Sequence, residues 1–174
     1  ALPIYIIIHE DGFELTDQQA KQLCDSQMGL GADGVICWQT LSAEKCPTVE
    51  ALIFNPDGSR AEKSGNGLRI LATYLFDSDY ADWRNLKFYS AGQIIHASLL
   101  PDRFILLEMG KVVPQFHHNV LSKENIHLAK KIIDTALGEI TGYAVSIGNP
   151  HFVIFQNELS AQFAQNWRSE EHTS

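Results

Sequence analysis

The chain has 174 residues, 45% hydrophobic and 20% charged, a composition that fits an ordinary globular protein with room for one domain and part of a second. Net charge is −8 and the 13 Lys and Arg residues are scattered, so neither a nucleic-acid groove nor an anionic membrane surface is expected as a partner. No apolar run approaches the roughly 18 residues of a membrane span. No basic-then-apolar signal pattern opens the chain, and a cytoplasmic location is the expectation. The 3 cysteines, Cys24, Cys37 and Cys46, are too few and too irregularly spaced for a disulfide framework or a zinc site, so no metal is expected.

In chain order, residues 4–8 predict a buried strand. Thr16-Asp17-Gln18-Gln19 has the form of a capping box, and Ala20, Leu23, Cys24 and Gln27 share one face of the helix it opens. Residues 35–39 and 49–54, rich in β-branched and aromatic side chains, predict strands. Asn55-Pro56-Asp57-Gly58 is a turn signal, because Pro presets φ and Gly accepts a positive one. Residues 68–76 are apolar nearly all round, which predicts a helix enclosed by sheet. Residues 86–89, 94–100 and 104–109 predict further strands. The polar stretch 115–119 is the candidate domain boundary, with 1–114 before it. Residues 126–137 fit helix or strand by period, and both stay open. Residues 143–147 and 152–156 predict strands flanking Gly148-Asn149-Pro150-His151. Strands alternate with few helices in no strict βαβ rhythm, so the expected class is α+β.

Gly29, Gly31 and Gly34 satisfy the spacing of a dinucleotide fingerprint. The order of elements is reversed, however, since a helix precedes them and a strand follows, and a helix C-cap with a turn is the better reading. Ser64-Gly65-Asn66-Gly67 stands before the apolar helix. The unpaired N–H groups and dipole of such an end attract a carboxylate, and glycine permits close approach. Gly148-Asn149-Pro150-His151 offers a second polar turn between strands. Two simple capping turns, in which Asn tolerates left-handed geometry, remain the alternative. There is no glycosidase-like carboxylate pair and no nucleophile elbow. His117-His118 is more simply a solvated loop pair, and His96 alternates with apolar neighbours as a strand residue does.

Gly29-Leu30-Gly31-Ala32-Asp33-Gly34, Phe54-Asn55-Pro56-Asp57-Gly58-Ser59, Ser64-Gly65-Asn66-Gly67-Leu68-Arg69 and Gly148-Asn149-Pro150-His151, in that order and spacing, resemble diaminopimelate epimerases. The resemblance runs to about Trp167. It implies two similar domains, each a barrel-like sheet wrapped around a central helix, with substrate in the cleft between the helix N-termini. It also implies proton transfer at the α-carbon of an amino acid by one cysteine from each domain, without a cofactor. Asn55 and Asn149 then correspond to substrate-holding amides, Gly65 and Asn66 to a carboxylate cradle, and His151 to a histidine assisting proton traffic. A homodimer of a full-length form is compatible with this reading.

The sequence departs from the family pattern in places that bear on chemistry. The first catalytic cysteine falls on Ser64, whose hydroxyl is too weak an acid to stand ionised at neutral pH without a neighbouring base. Cys24, Cys37 and Cys46 do not fall on catalytic positions. The opening His-Gly-x-Gly-Asn-Asp stretch and the later half of the second domain are not found, so residues 115–167 are expected to be a truncated second domain. Residues 168–174 resemble translated sequencing adapter and are expected to be a non-native tail. The leading expectation is interconversion of LL- and meso-diaminopimelate, a step towards lysine. A one-base dehydratase or racemase of the same superfamily and a non-catalytic amino-acid binder are the alternatives.

Overall fold

The structure is a computed structural model that describes residues 5–9, 15–43, 45–61, 63–78, 84–114, 130–135, 138–148 and 150–155. The chain divides into two compact units, Ala1–Gly110 and Lys111–Ser174.

The first unit contains β1 (Ile6–His9), α1 (Asp17–Cys24), β2 (Val35–Ser42), β3 (Thr48–Phe54), α2 (Gly65–Asp77), β4 (Asn85–Ser90), β5 (Gln93–Leu99) and β6 (Ile105–Leu107). They form a 6-stranded sheet in sequential order. Thr16 caps α1 through the expected box with Gln19, and Ala20 and Cys24 are buried; Gln27 lies beyond the helix end and is exposed. The pairs β1–β2 and β3–β4 are parallel, while β2–β3, β4–β5 and β5–β6 are antiparallel. Parallel neighbours need a crossover, and α1 and α2 supply the two of them. Because β2–β3 reverses strand direction, two crossovers of the same right-handed sense place their helices on opposite faces. Two cores follow. On one face α2 packs Leu68, Leu71, Ala72 and Leu75 against Ile36, Trp38, Val49, Ile53, Phe88 and Ile95. On the other, Ala20 and Cys24 of α1 meet Val35, Cys37 and Phe54. A helix is present where residues 68–76 predict one, extended to Gly65–Asp77; Leu71 and Leu75 on its inner face are both 0% exposed, but it is buried on that face alone and not enclosed by sheet.

The expected barrel is not. Among the described residues no pairing joins β1 to β6, and the sheet is open. The reason is size. Eight strands close around an interior that side chains alone fill, so six cannot encircle a helix about 10–12 Å across. The sheet instead covers one side of α2 and leaves the rest of that helix, including Thr73 and Tyr74, exposed. Among the described residues the fold is α+β with a mixed open sheet and two helices, not a barrel wrapped around a central helix.

The second unit contains β7 (Val113–Pro114), β8 (Lys130–Thr135), β9 (Gly138–Ser146) and β10 (Pro150–Val153) in a 4-stranded antiparallel sheet. β9 is long enough to take β8 and then β7 along one edge and β10 along the other. The open question over residues 126–137 resolves as strand for Lys130–Thr135; 126–129, 136 and 137 lie outside the described residues, as do His117, His118, Asn149 and 168–174.

Candidate functional site

Ser64 is the N-cap of α2, in extended backbone geometry, and its Oγ accepts the Gly67 N–H at 3.1 Å. Its carbonyl accepts from Leu68 N–H at 3.0 Å, the first full turn of the helix. The Gly65 and Asn66 N–H groups precede any intrahelical acceptor and point out of the helix end. No acidic residue occupies the first turn. The end therefore keeps its partial positive charge and two donors for an anion.

The glycines answer to packing. A Cβ at Gly67 would lie 2.9 Å from Ile53 Cδ1 and 3.1 Å from Ser64 Oγ, so a larger residue there would have to displace the end of the Ile53 side chain. A Cβ at Gly65 would lie 3.3 Å from Arg69 Nη1 and 3.6 Å from Met109 Cε. Gly65 thus lies close to a guanidinium and a thioether.

Asn55 follows β3 directly and opens a tight turn. Its N–H donates to Ser59 O at 2.8 Å, its carbonyl accepts from Gly58 at 2.9 Å, and Nδ2 donates to Ser59 Oγ at 3.0 Å. Ser59 in turn donates its hydroxyl and its N–H to Asp57 Oδ1, at 2.6 and 2.9 Å. The Ser59 hydroxyl, then its N–H, hold the Asp57 carboxyl below its ordinary range. The turn commits the Asn55 amide nitrogen locally and leaves the side chain exposed.

Within the second unit, His151 lies exposed on β10 opposite Val145. It borders an apolar pocket of about 390 Å³ with Val112, Tyr143, Val145, Ile147, Val153 and Phe155. Gly148 has φ +118 and donates to Ser146 Oγ at 3.1 Å.

Ser64, Gly65 and Asn66 are brought together on one helix turn, and Asn55 ends a strand of the same unit. His151 belongs to the other unit, and Asn149 lies outside the described residues. Ser64 is hydrogen-bonded to no His, Asp, Glu or Lys side chain among the described residues. Cys24 and Cys37 are buried and Cys46 is half-buried. No group of His, Cys, Asp and Glu able to hold a metal is found among the described residues. No described helix is long and apolar enough to cross a membrane.

Sequence reading passed over Lys63, the residue before Ser64. Its Nζ donates to Met109 O at 2.6 Å and to Gln93 Oε1 at 3.0 Å. Both partners are far away in sequence, so no local pattern pointed to them.

A profile for diaminopimelate epimerase matches residues 4–114. The chain is 32% identical over 166 residues to diaminopimelate epimerase 2 of Nostoc sp., covering 94% of this chain and 58% of that protein. It is 33% identical over 152 residues to the diaminopimelate epimerase of Synechocystis sp., covering 84% and 53%. The corresponding protein of Carboxydothermus hydrogenoformans is 32% identical over 144 residues, covering 81% and 50%. The chain thus spans a little over half the length of the relatives it matches. These similarities place it in the diaminopimelate epimerase and amino-acid racemase superfamily. Within that class, it belongs to the diaminopimelate epimerase family.

Proposed function

We propose that this chain is the substrate-carboxylate-holding part of a cofactor-independent isomerase that interconverts LL- and meso-diaminopimelate at the α-carbon. The observation that carries the reading is the start of α2, where Ser64 spends its oxygen on Gly67 and leaves the Gly65 and Asn66 N–H groups open. A carboxylate held there has its charge met by two donors and the helix dipole. Charge that develops on the carboxylate as the α-proton leaves would meet the same groups. Asn55 and Asn149 are proposed as substrate-holding amides, and His151 as the residue assisting proton traffic. The substrate is a small amino acid.

Ser64 also favours a second reading. A hydroxyl without a hydrogen-bonded base does not take an α-proton at neutral pH, but it can donate one. That chemistry suits a one-base dehydratase of the same superfamily, in which a single base acts and water is eliminated.

Stereospecific α-proton exchange in deuterated water, measured on a full-length form, separates the two. Ser64→Cys should raise exchange at the face served by the first unit, because a thiol at a helix N-terminus ionises far more readily. Equal or lower exchange, with the serine form already active, would sink the epimerase reading.

A further inference from the structure

The start of α2 is roofed from a distant part of the sheet. Met109 follows β6 and packs against the core that α2 builds, and its Cε lies 3.6 Å from where a Gly65 Cβ would stand. Its carbonyl is the acceptor of the 2.6 Å bond from Lys63 Nζ, and Gly110 follows at φ +90. A Cβ on Gly110 would lie 3.6 Å from the same Nζ. Lys63 is also tied to Gln93 at the start of β5, at 3.0 Å. The residue immediately before the N-cap therefore grips two strands and, through one of them, the side chain that covers the first helical position. A charged donor to a carbonyl is among the stronger hydrogen bonds available to a partly buried group. Thioether side chains are otherwise free to adopt many rotamers.

We propose that Lys63 is a positioning residue and Met109 a specificity-determining one: the Lys63–Met109 bond holds the thioether over Gly65 and sets the room left for a carboxylate-bearing ligand at Gly65 and Asn66. This rests on the carboxylate-holding function proposed above. A carboxylate held at Gly65 and Asn66 is within reach of the Arg69 guanidinium and of the Met109 methyl, which lie 3.3 and 3.6 Å from where a Gly65 Cβ would stand.

The test uses the 174-residue chain, labelled for amide and methyl NMR, as wild type, Lys63→Met, Lys63→Arg and Met109→Ala. In the wild type and Lys63→Arg, a nuclear Overhauser contact joins the Met109 methyl to the Gly65 α-protons. It falls at least threefold in Lys63→Met while far-UV circular dichroism is unchanged. Titration with meso-diaminopimelate shifts the Gly65 and Asn66 amides, with affinity reduced about fivefold or more (roughly 1 kcal/mol by the standard conversion) in Lys63→Met and Met109→Ala and restored in Lys63→Arg. Full contact intensity in Lys63→Met overturns the proposal, as does wild-type affinity in Met109→Ala. If Lys63→Met fails to fold, the Met109→Ala titration and the wild-type contact decide. If the wild type shows the contact but no amide shifts, the carboxylate-holding function fails while the positioning role of Lys63 is still decided by the contact.

Discussion

The Ser64 hydroxyl lies 3.1 Å from the Gly67 N–H and serves there as a helix cap. The epimerase reading proposed above asks for a thiol at this same position, so under it one side chain faces two demands. A serine cap favours the helix, whereas a thiol accepts hydrogen bonds weakly. Ser64→Ala should cost about 1 kcal/mol of stability, and Ser64→Cys a similar amount. For a chain of this length the melting temperature should then fall by roughly 2–4 °C. Thermal unfolding of both variants checks this, and an unchanged midpoint in Ser64→Ala would show that the cap contributes nothing.

Gly58 is the tightest point of the Asn55 turn. Its φ is +87, and a Cβ there would lie 2.3 Å from the Asp17 carbonyl oxygen at the start of α1. Gly58→Ala adds left-handed strain to a backbone clash, at a cost of at least about 1–3 kcal/mol. Because Asn55 and Ser59 belong to the same hydrogen-bonded turn, their chemical shifts should move in the same variant. Stability within error of wild type would mean that the turn relaxes freely.

Asp57 sets the acid limit of that turn. Its folded carboxyl is held below the ordinary value of 3.8 by the Ser59 hydroxyl and N–H. A depressed value means the contribution is complete above the unfolded value and is lost as pH falls through the folded one. The Ser59 amide resonance should therefore titrate with a midpoint below 3.8. In Asp57→Asn this titration should vanish, while the α2 amides stay unmoved.

The thiols should separate by burial. Cys46 is half-buried while Cys24 and Cys37 are buried, so a disulfide reagent should label Cys46 first in the folded chain. Burial first, and Asp33 second, push the Cys24 thiol above its ordinary value of 9.0. The raised value contributes stability that is complete below 9.0 and fades as pH climbs through the folded value. Denaturant midpoints measured from pH 8 upward should thus decline, and the decline should be smaller in Cys24→Ala. Labelling of Cys24 ahead of Cys46 would contradict the packing of α1.

The local pattern of the sequence determined much of this protein. Thr16 and Gln19 announce the α1 cap, the apolar run from Leu68 to Phe76 announces a helix, and Asn55-Pro56-Asp57-Gly58 announces its turn. Each is settled by neighbours within about one helical turn, where side-chain and backbone preferences act directly. The set of glycine motifs was likewise enough to point to the family. Closure of the sheet was not legible, because it depends on how many strands a helix needs around it rather than on any one strand's pattern. Neither was the grip of Lys63 on Met109, which joins residues 46 positions apart. Those features were decided by the tertiary structure, since strand order alone brings β5, β6 and the start of α2 within reach of one another.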